Sequence, residues 1–180
     1  MNICVFCGSS KGTNPVYAEA TKELALHLSK NKCSLVYGGG NIGLMGVLAD
    51  EMLKNAARVI GVIPDFLVQR EVAHGGLSEL IVVTSMHERK KRMADLTDCF
   101  IAIPGGMGTL DEFAEILTWK QLGLIHNPVG LLNTHGFFDS LIKQLEKMAA
   151  DGFLKRENLA SIKISDNPRQ LLTLLGVVAT

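Results

Sequence analysis

The sequence predicts an α/β protein in which a doubly wound parallel sheet is covered by helices on both faces. Short, continuously apolar segments alternate with amphipathic segments along the chain, with no linker between them. Strands that are apolar on both faces are typical of parallel sheets buried between helices. Turns rich in glycine or serine follow three of these strands, at residues 7–12, 38–46 and 105–108. Because ligands of such sheets bind at the carboxyl ends of the strands, these turns form the predicted functional region.

The order of the elements follows from the apolar periodicity and from the turn residues. Apolar runs predict seven strands, at residues 2–6, 34–37, 58–63, 80–84, 99–103, 129–132 and 162–164. Amphipathic stretches predict helices at residues 15–29, 44–54, 86–96, 110–122, 137–150 and 168–175, with a short helical piece at 65–69. Asn14 is the expected N-cap of the first helix, because Pro15 suits the first helical position. We expect residues 1–180 to form a single domain.

Composition excludes several classes of protein. A chain of 180 residues with 47% hydrophobic residues can form one well-packed core. The 18 basic and 18 acidic side chains cancel, so no net charge favours nucleic acid or an anionic membrane as a partner. The N-terminus lacks the basic region of a signal peptide, and no apolar stretch approaches the length of a membrane span. Cys33 and Cys99 are isolated, and Cys4 and Cys7 do not open a helix as a redox motif would, so we expect a cytoplasmic protein.

The segment PGGMGTLDE at residues 104–112 joins a strand end, a glycine turn and a helix start. Its three glycines let the backbone approach a ligand closely, and the first N–H groups of the helix would face that ligand. Such a turn favours an anion, above all phosphate. Glu112 lies beside the turn, which indicates chemistry on a phosphorylated small molecule. An alternative is that Thr109 and Glu112 form a T-x-x-E capping box, which would by itself explain both residues.

The turn GGGNIGLMG at residues 38–46 contains G-x-G-x-x-G between a strand and a helix, and Asp65 follows at about the distance expected of a ribose-binding acid. This pattern is the best argument for a dinucleotide site. Against it, the pattern does not follow the first strand, and no Tyr-x-x-x-Lys pair exists for hydride chemistry. We therefore rank it below the phosphate interpretation. A third interpretation is that these glycines only permit tight packing between helix and strand.

The segment MHERKKRM at residues 86–93 has helical spacing. Intervals of three and four place both cations and apolar residues on one stripe: Met86, Arg89, Lys90, Met93 and Leu96. We expect the two cations to point into a cleft, where an arginine needs an anionic partner. The alternative is a solvated basic helix face. No metal site is expected, since Lys91 occupies the position where a zinc motif would have its second histidine.

PGGMGTLDE, the upstream HERK and GGGNIGLMG together resemble the Lonely Guy (LOG) family, cytokinin riboside 5′-monophosphate phosphoribohydrolases with a Rossmann-like fold. The family pattern PGGxGTxxE is complete, and the resemblance extends from CGSS at residues 7–10 through the predicted helix at 137–150. The resemblance implies that Arg89 and Glu112 are catalytic. It implies nucleotide contacts from Glu71, Arg89, Lys90, Gly105, Gly106, Met107, Gly108, Thr109, Leu110, Asp111, Glu112 and Thr118. The label lysine decarboxylase, which such relatives often carry, has no support in the residues, because no lysine is placed as a pyridoxal Schiff-base site.

The implied reaction is hydrolysis of the N-glycosidic bond in AMP and in N6-substituted cytokinin riboside monophosphates. Glu112 would stabilise an oxocarbenium-like transition state or activate water, and Arg89 would orient Glu112 and the ribose or assist departure of the base. The reaction needs no metal or redox cofactor, and the resemblance implies a homodimer. Two alternatives stay open: a non-catalytic nucleotide or cofactor carrier of the same fold, and a dinucleotide-dependent oxidoreductase.

Overall fold

The computed structural model describes residues 1–68 and 73–178, and seven strands within these ranges form one parallel sheet. Strands β1 to β7 span Asn2–Phe6, Ser34–Tyr37, Val59–Pro64, Glu79–Val83, Cys99–Ala102, Val129–Leu132 and Ile162–Ser165. Their spatial order is β4-β3-β2-β1-β5-β6-β7, and each neighbouring pair is parallel. The predicted doubly wound parallel sheet is confirmed. The chain leaves β1 toward one edge and returns at β5 on the other side, so the strand order reverses between β1 and β5.

Eight α-helices connect or follow the strands in the described part of the chain. Helices α1 to α8 span Val16–Lys30, Gly43–Lys54, Asp65–Val68, Met86–Asp95, Met107–Gln121, Asp139–Ala150, Arg156–Ala160 and Pro168–Leu174. The sequence did not predict α7 or the short 3-10 helix Thr134–Gly136, which delays the start of α6 by two residues. Position 69, predicted in the short third helix, lies outside the described residues. No described helix combines the length and apolar character needed to cross a bilayer.

The alternating side chains of β1 enter two separate cores. Ile3 and Val5 pack with helices α1, α2 and α8 on one face, while Phe6 packs with α4, α5 and α6 on the other. Cys4 and Cys7 also face opposite sides of the sheet and are free thiols, so they do not form a disulfide or a paired metal ligand. Both faces of the sheet are therefore covered, and its carboxyl edge is the place where a polar ligand can reach the strands.

The start of α5 differs most from the prediction. The helix begins at Met107 rather than at residue 110, because Gly106 takes an extended backbone (φ −92°, ψ −154°) that lets the chain enter the helix earlier. Thr109 is thus the third helical residue, and no side chain caps this helix. The capping-box alternative for Thr109 and Glu112 is wrong, so both side chains require another explanation.

Candidate active site

A cavity of about 190 Å³ opens at the carboxyl ends of β1, β2 and β5, where the strand order reverses. Its walls are the turns after β1 and β2, one side chain of α4, and the first two turns of α5. The cavity brings together Arg89, Glu112 and the turn at residues 106–109, as the sequence predicted. Such a crevice is the usual ligand site of a doubly wound sheet.

The glycines of the PGGMG turn have two different roles. A Cβ on Gly105 would overlap the Thr109 hydroxyl and lie 2.8 Å from the Gly8 nitrogen, so Gly105 is required for internal packing. A Cβ on Gly106 or Gly108 would meet no atom within 4 Å, because both positions face open space. Within the described ranges, the N–H groups of residues 106–109 donate to no protein acceptor. This turn therefore offers an open row of donors at a helix N-terminus, the arrangement that binds phosphate.

Arg89 is held rigidly beneath this turn. Only 8% of its surface is exposed, its Nε donates to the Val62 carbonyl at 3.1 Å, and its Nη2 donates to the Gly38 carbonyl at 3.3 Å. A side chain at Gly38 would overlap the guanidinium, so that glycine makes room for Arg89. The sequence-based expectation that Arg89 leaves the solvated face of its helix agrees with this position. Because two carbonyls accept hydrogen bonds from the planar guanidinium, Arg89 is held in one orientation.

Glu112 is the carboxylate that faces Arg89. Its Oε1 lies 3.7 Å from the Arg89 Nη1, and only 8% of the residue is exposed. Burial raises the pKa of the Glu112 carboxyl from its ordinary 4.5 to about 7, and Arg89 offsets part of that effect. The Cys7 thiol lines the same cavity, and burial raises its pKa well above the ordinary range, so the thiol stays neutral. A carboxyl with a pKa near neutrality in a cleft is typical of a catalytic acid or base.

Lys90 occupies a different environment from its neighbour Arg89. Its Nζ lies 2.9 Å from Glu115 and 3.1 Å from Asp111, and its side chain is 13% exposed. These two carboxylates raise the pKa of the Lys90 ammonium, against the opposing effect of desolvation. Lys90 does not line the cavity. It instead joins α4 to α5 on either side of Glu112, so it fixes the helix that carries the carboxylate.

The second glycine turn is engaged in internal contacts. The first N–H groups of α2, from Leu44 and Met45, point at the Gly8 carbonyl at 3.0 and 3.4 Å. Gly43 (φ +64°) lies against the backbone of residues 9–10, where any Cβ would collide. Gly46 packs equally closely on Asn41. This geometry favours the packing interpretation of the turn and weakens the dehydrogenase alternative.

The remaining residues carried over from the resemblance lie in several places. Met107 is 79% exposed at the cavity mouth. Leu110 and Thr118 line a separate apolar groove of about 350 Å³ between α5 and α6. Thr118 donates to the Ala114 carbonyl at 2.8 Å, on the side of α5 away from Glu112. Glu71 lies outside the described residues.

Other cavity residues received no role from the sequence. Cys7, Gly8 and Ser9 line the cavity from the turn after β1, and Met45 does so from α2. The sequence did predict a functional turn at residues 7–12, because these residues follow an apolar strand, but it gave no individual role to Cys7, Gly8 or Ser9. Among residues 1–68 and 73–178, no three His, Cys, Asp or Glu side chains converge as metal ligands.

A family model and curated relatives were compared with this chain, and both indicate the same family. A family model described as "Possible lysine decarboxylase" matches residues 45–175. The chain is 44% identical over 173 residues to cytokinin riboside 5′-monophosphate phosphoribohydrolase LOG2 of Arabidopsis thaliana, covering 96% of this chain and 81% of that protein. It is 43% identical over 173 residues to cytokinin riboside 5′-monophosphate phosphoribohydrolase LOG of Oryza sativa, covering 96% of this chain and 72% of the relative.

Solved structures show the same fold at lower sequence identity. The molybdenum cofactor binding protein of Rippkaea orientalis superposes with a TM-score of 0.74 at 22% identity, covering 99% of this chain and 97% of that one. The molybdenum cofactor carrier protein of Chlamydomonas reinhardtii gives 0.74 at 19% identity, covering 99% of this chain and 98% of the other. At these identities the likeness concerns the fold alone. The family model and the sequence identities to curated relatives show that this chain belongs to the LOG (Lonely Guy) family.

Proposed function

We propose that this protein is a phosphoribohydrolase that cleaves the N-glycosidic bond of nucleoside 5′-monophosphates, AMP and its N6-substituted cytokinin forms among them. One observation carries the proposal: the buried Glu112, with its pKa raised to about 7, faces Arg89 from the second turn of a helix whose N-terminus is open. The names of relatives that are 43–44% identical support the same reaction.

The site supplies the parts of this reaction in order. The N–H groups at residues 106–109 bind the 5′-phosphate, which places the ribose over the buried pair. The bond from C1′ to the base nitrogen breaks with its electron pair on the base, while positive charge develops on the ribose. The base takes up one proton from solvent, which balances the proton released when water adds to C1′. Water adds to C1′, giving ribose 5-phosphate. The Glu112 carboxylate stabilises the developing charge or accepts a proton from that water, and both roles require its ionised form.

We also propose a homodimer formed through the apolar groove between α5 and α6. Phe153 at its rim is 83% exposed, which is costly for a side chain left in water. Thr118 lies on this groove, away from Glu112. If the family's nucleotide contact at Thr118 exists here, it must therefore come from a second copy of the chain.

Four free cysteines suit a reducing compartment, so we place this single-domain enzyme in the cytoplasm.

The experiment that tests the activity is incubation with AMP, isopentenyl-AMP and adenosine, followed by chromatography of the released base. We expect base release from both monophosphates, with a kcat/KM for AMP at least about a hundredfold above that for adenosine. A parallel titration with NADH should show no binding. Tight nucleotide binding with no base released would instead favour the carrier alternative. Equal rates on AMP and adenosine would remove the proposed role of the helix N-terminus.

A further inference from the structure

A second cavity, of about 220 Å³, adjoins the candidate active site. It lies between the loop at residues 8–12 and the PGG turn, with the aromatic rings of Tyr17 and Phe137 at its far side. Gly8, Ser9 and Gly106 line both cavities, so the two are neighbours across these residues. A phosphate on the N–H groups at residues 106–109 would therefore lie at the boundary between them.

The loop at residues 8–12 is fixed in place on both sides. The Gly8 N–H donates to the Pro104 carbonyl at 3.2 Å, and the Gly8 carbonyl accepts from the start of α2. Gly43 packs on the backbone of residues 9–10. Within the described part of the chain, the N–H groups of residues 9–11 donate to no protein acceptor. Ser9, Ser10 and Lys11 all line the second cavity, so these unpaired donors belong to the loop that borders it.

The two cations nearest Glu112 already have protein partners. A nucleoside monophosphate brings up to two negative charges to a cleft that already holds Glu112. Arg89 is taken up by two carbonyls and Glu112, and Lys90 by Asp111 and Glu115. Lys11 lines the second cavity and forms no ion pair with any described residue.

We propose that Lys11, together with the N–H groups of residues 9–11, binds the 5′-phosphate of the substrate opposite the α5 N-terminus. The phosphate site then has two halves, one a helix N-terminus and the other a cationic loop. Lys11 acts as a specificity residue, because a nucleoside without phosphate gains nothing from it. This proposal rests on the proposed function, since it concerns the substrate of that same site.

The test compares Lys11→Met with Lys22→Met, a matched change at an exposed lysine on α1 outside both cavities. Inorganic phosphate is titrated into each protein by calorimetry, and kcat/KM is measured on AMP and on adenosine. For Lys11→Met we expect phosphate affinity and kcat/KM on AMP to fall about tenfold, with adenosine unchanged. Lys11→Arg should recover most of the loss, and Lys22→Met should match the parent.

Failure of this proposal can be told apart from failure of the proposed function. If Lys11→Met cleaves AMP and binds phosphate as the parent does, the activity stands and the role of Lys11 is wrong. If the parent releases no base, the activity is wrong, but the phosphate titration still decides whether Lys11 belongs to an anion site. Equal losses with Lys11→Met and Lys22→Met would indicate a general effect of net charge and would overturn the proposal.

Discussion

A methyl group at Gly108 should separate ligand binding from folding. Gly108 has helical backbone in the first turn of α5, and an added Cβ would meet no atom within 4 Å. Replacing a helical glycine by alanine stabilises a protein by up to about 1 kcal/mol. For a chain of this size, that corresponds to a rise in Tm of roughly 2–4 °C. The same methyl would enter the cavity at the proposed phosphate site, in front of the N–H groups.

We therefore expect Gly108→Ala to raise Tm while it lowers phosphate affinity and kcat/KM for AMP by about tenfold or more, or ~1.4 kcal/mol of binding free energy. Thermal unfolding and phosphate titration of the same preparation provide the assay. Gly105→Ala is the matched control, because its Cβ would overlap the Thr109 hydroxyl and crowd the Gly8 backbone. That variant should lose roughly 1–3 kcal/mol of stability. A Gly108→Ala protein that binds phosphate as tightly as the parent would refute the reasoning.

Three further predictions concern the charged residues. Arg89→Lys loses the planar guanidinium that donates to two carbonyls, so kcat/KM for AMP should fall by about a hundredfold or more. Arg92 is exposed on the same helix, and Arg92→Ala should have little effect in the same assay. Lys90→Met leaves the carboxylates of Asp111 and Glu115 without their partner, and their negative charge should raise the pKa of Glu112 further. The pH below which kcat/KM for AMP falls should therefore move upward, whereas Lys91→Met should leave it unchanged. Because the pKa of Glu112 is higher in the folded than in the unfolded protein, the folded state is favoured at low pH. The free energy of unfolding should therefore fall by up to about 3 kcal/mol between pH 4.5 and 7. Urea titrations of Glu112→Gln should lack this decrease. A flat profile in the parent would contradict the environment described for that carboxyl.

The sequence predicted most of the fold because its strands are continuously apolar and its turns contain glycine. It could not give the strand order, since pairing between β1 and β5 depends on which edge the chain returns to. Helix α7 was missed because its five residues carry no apolar periodicity. The start of α5 was placed too late because the pattern T-x-x-E imitates a capping box, while the extended backbone of Gly106 is visible only in three dimensions.

The site divides in the same way. Helical spacing correctly took Arg89 out of solvent, because its stripe contains the buried Met93. Spacing could not distinguish a ligand contact from a brace between helices, and Lys90 faces two carboxylates that lie far away in the sequence. The position of Thr118 was accessible from the sequence, since six residues of helix turn it well away from the face of Glu112. The raised pKa of Glu112 could not be predicted from the sequence, because it depends on burial by several elements.

The most direct test of the central claim is the rate of adenine release from AMP by Glu112→Gln at pH 8. Gln keeps the shape of the side chain and removes its charge, and no capping contact is lost with it. Because a neutral amide avoids the cost of burying a carboxylate, the variant should be at least as resistant to urea as the parent. We predict that kcat/KM falls by a factor on the order of 10² or more. A stable Glu112→Gln protein that hydrolyses AMP at the parental rate would contradict the mechanism.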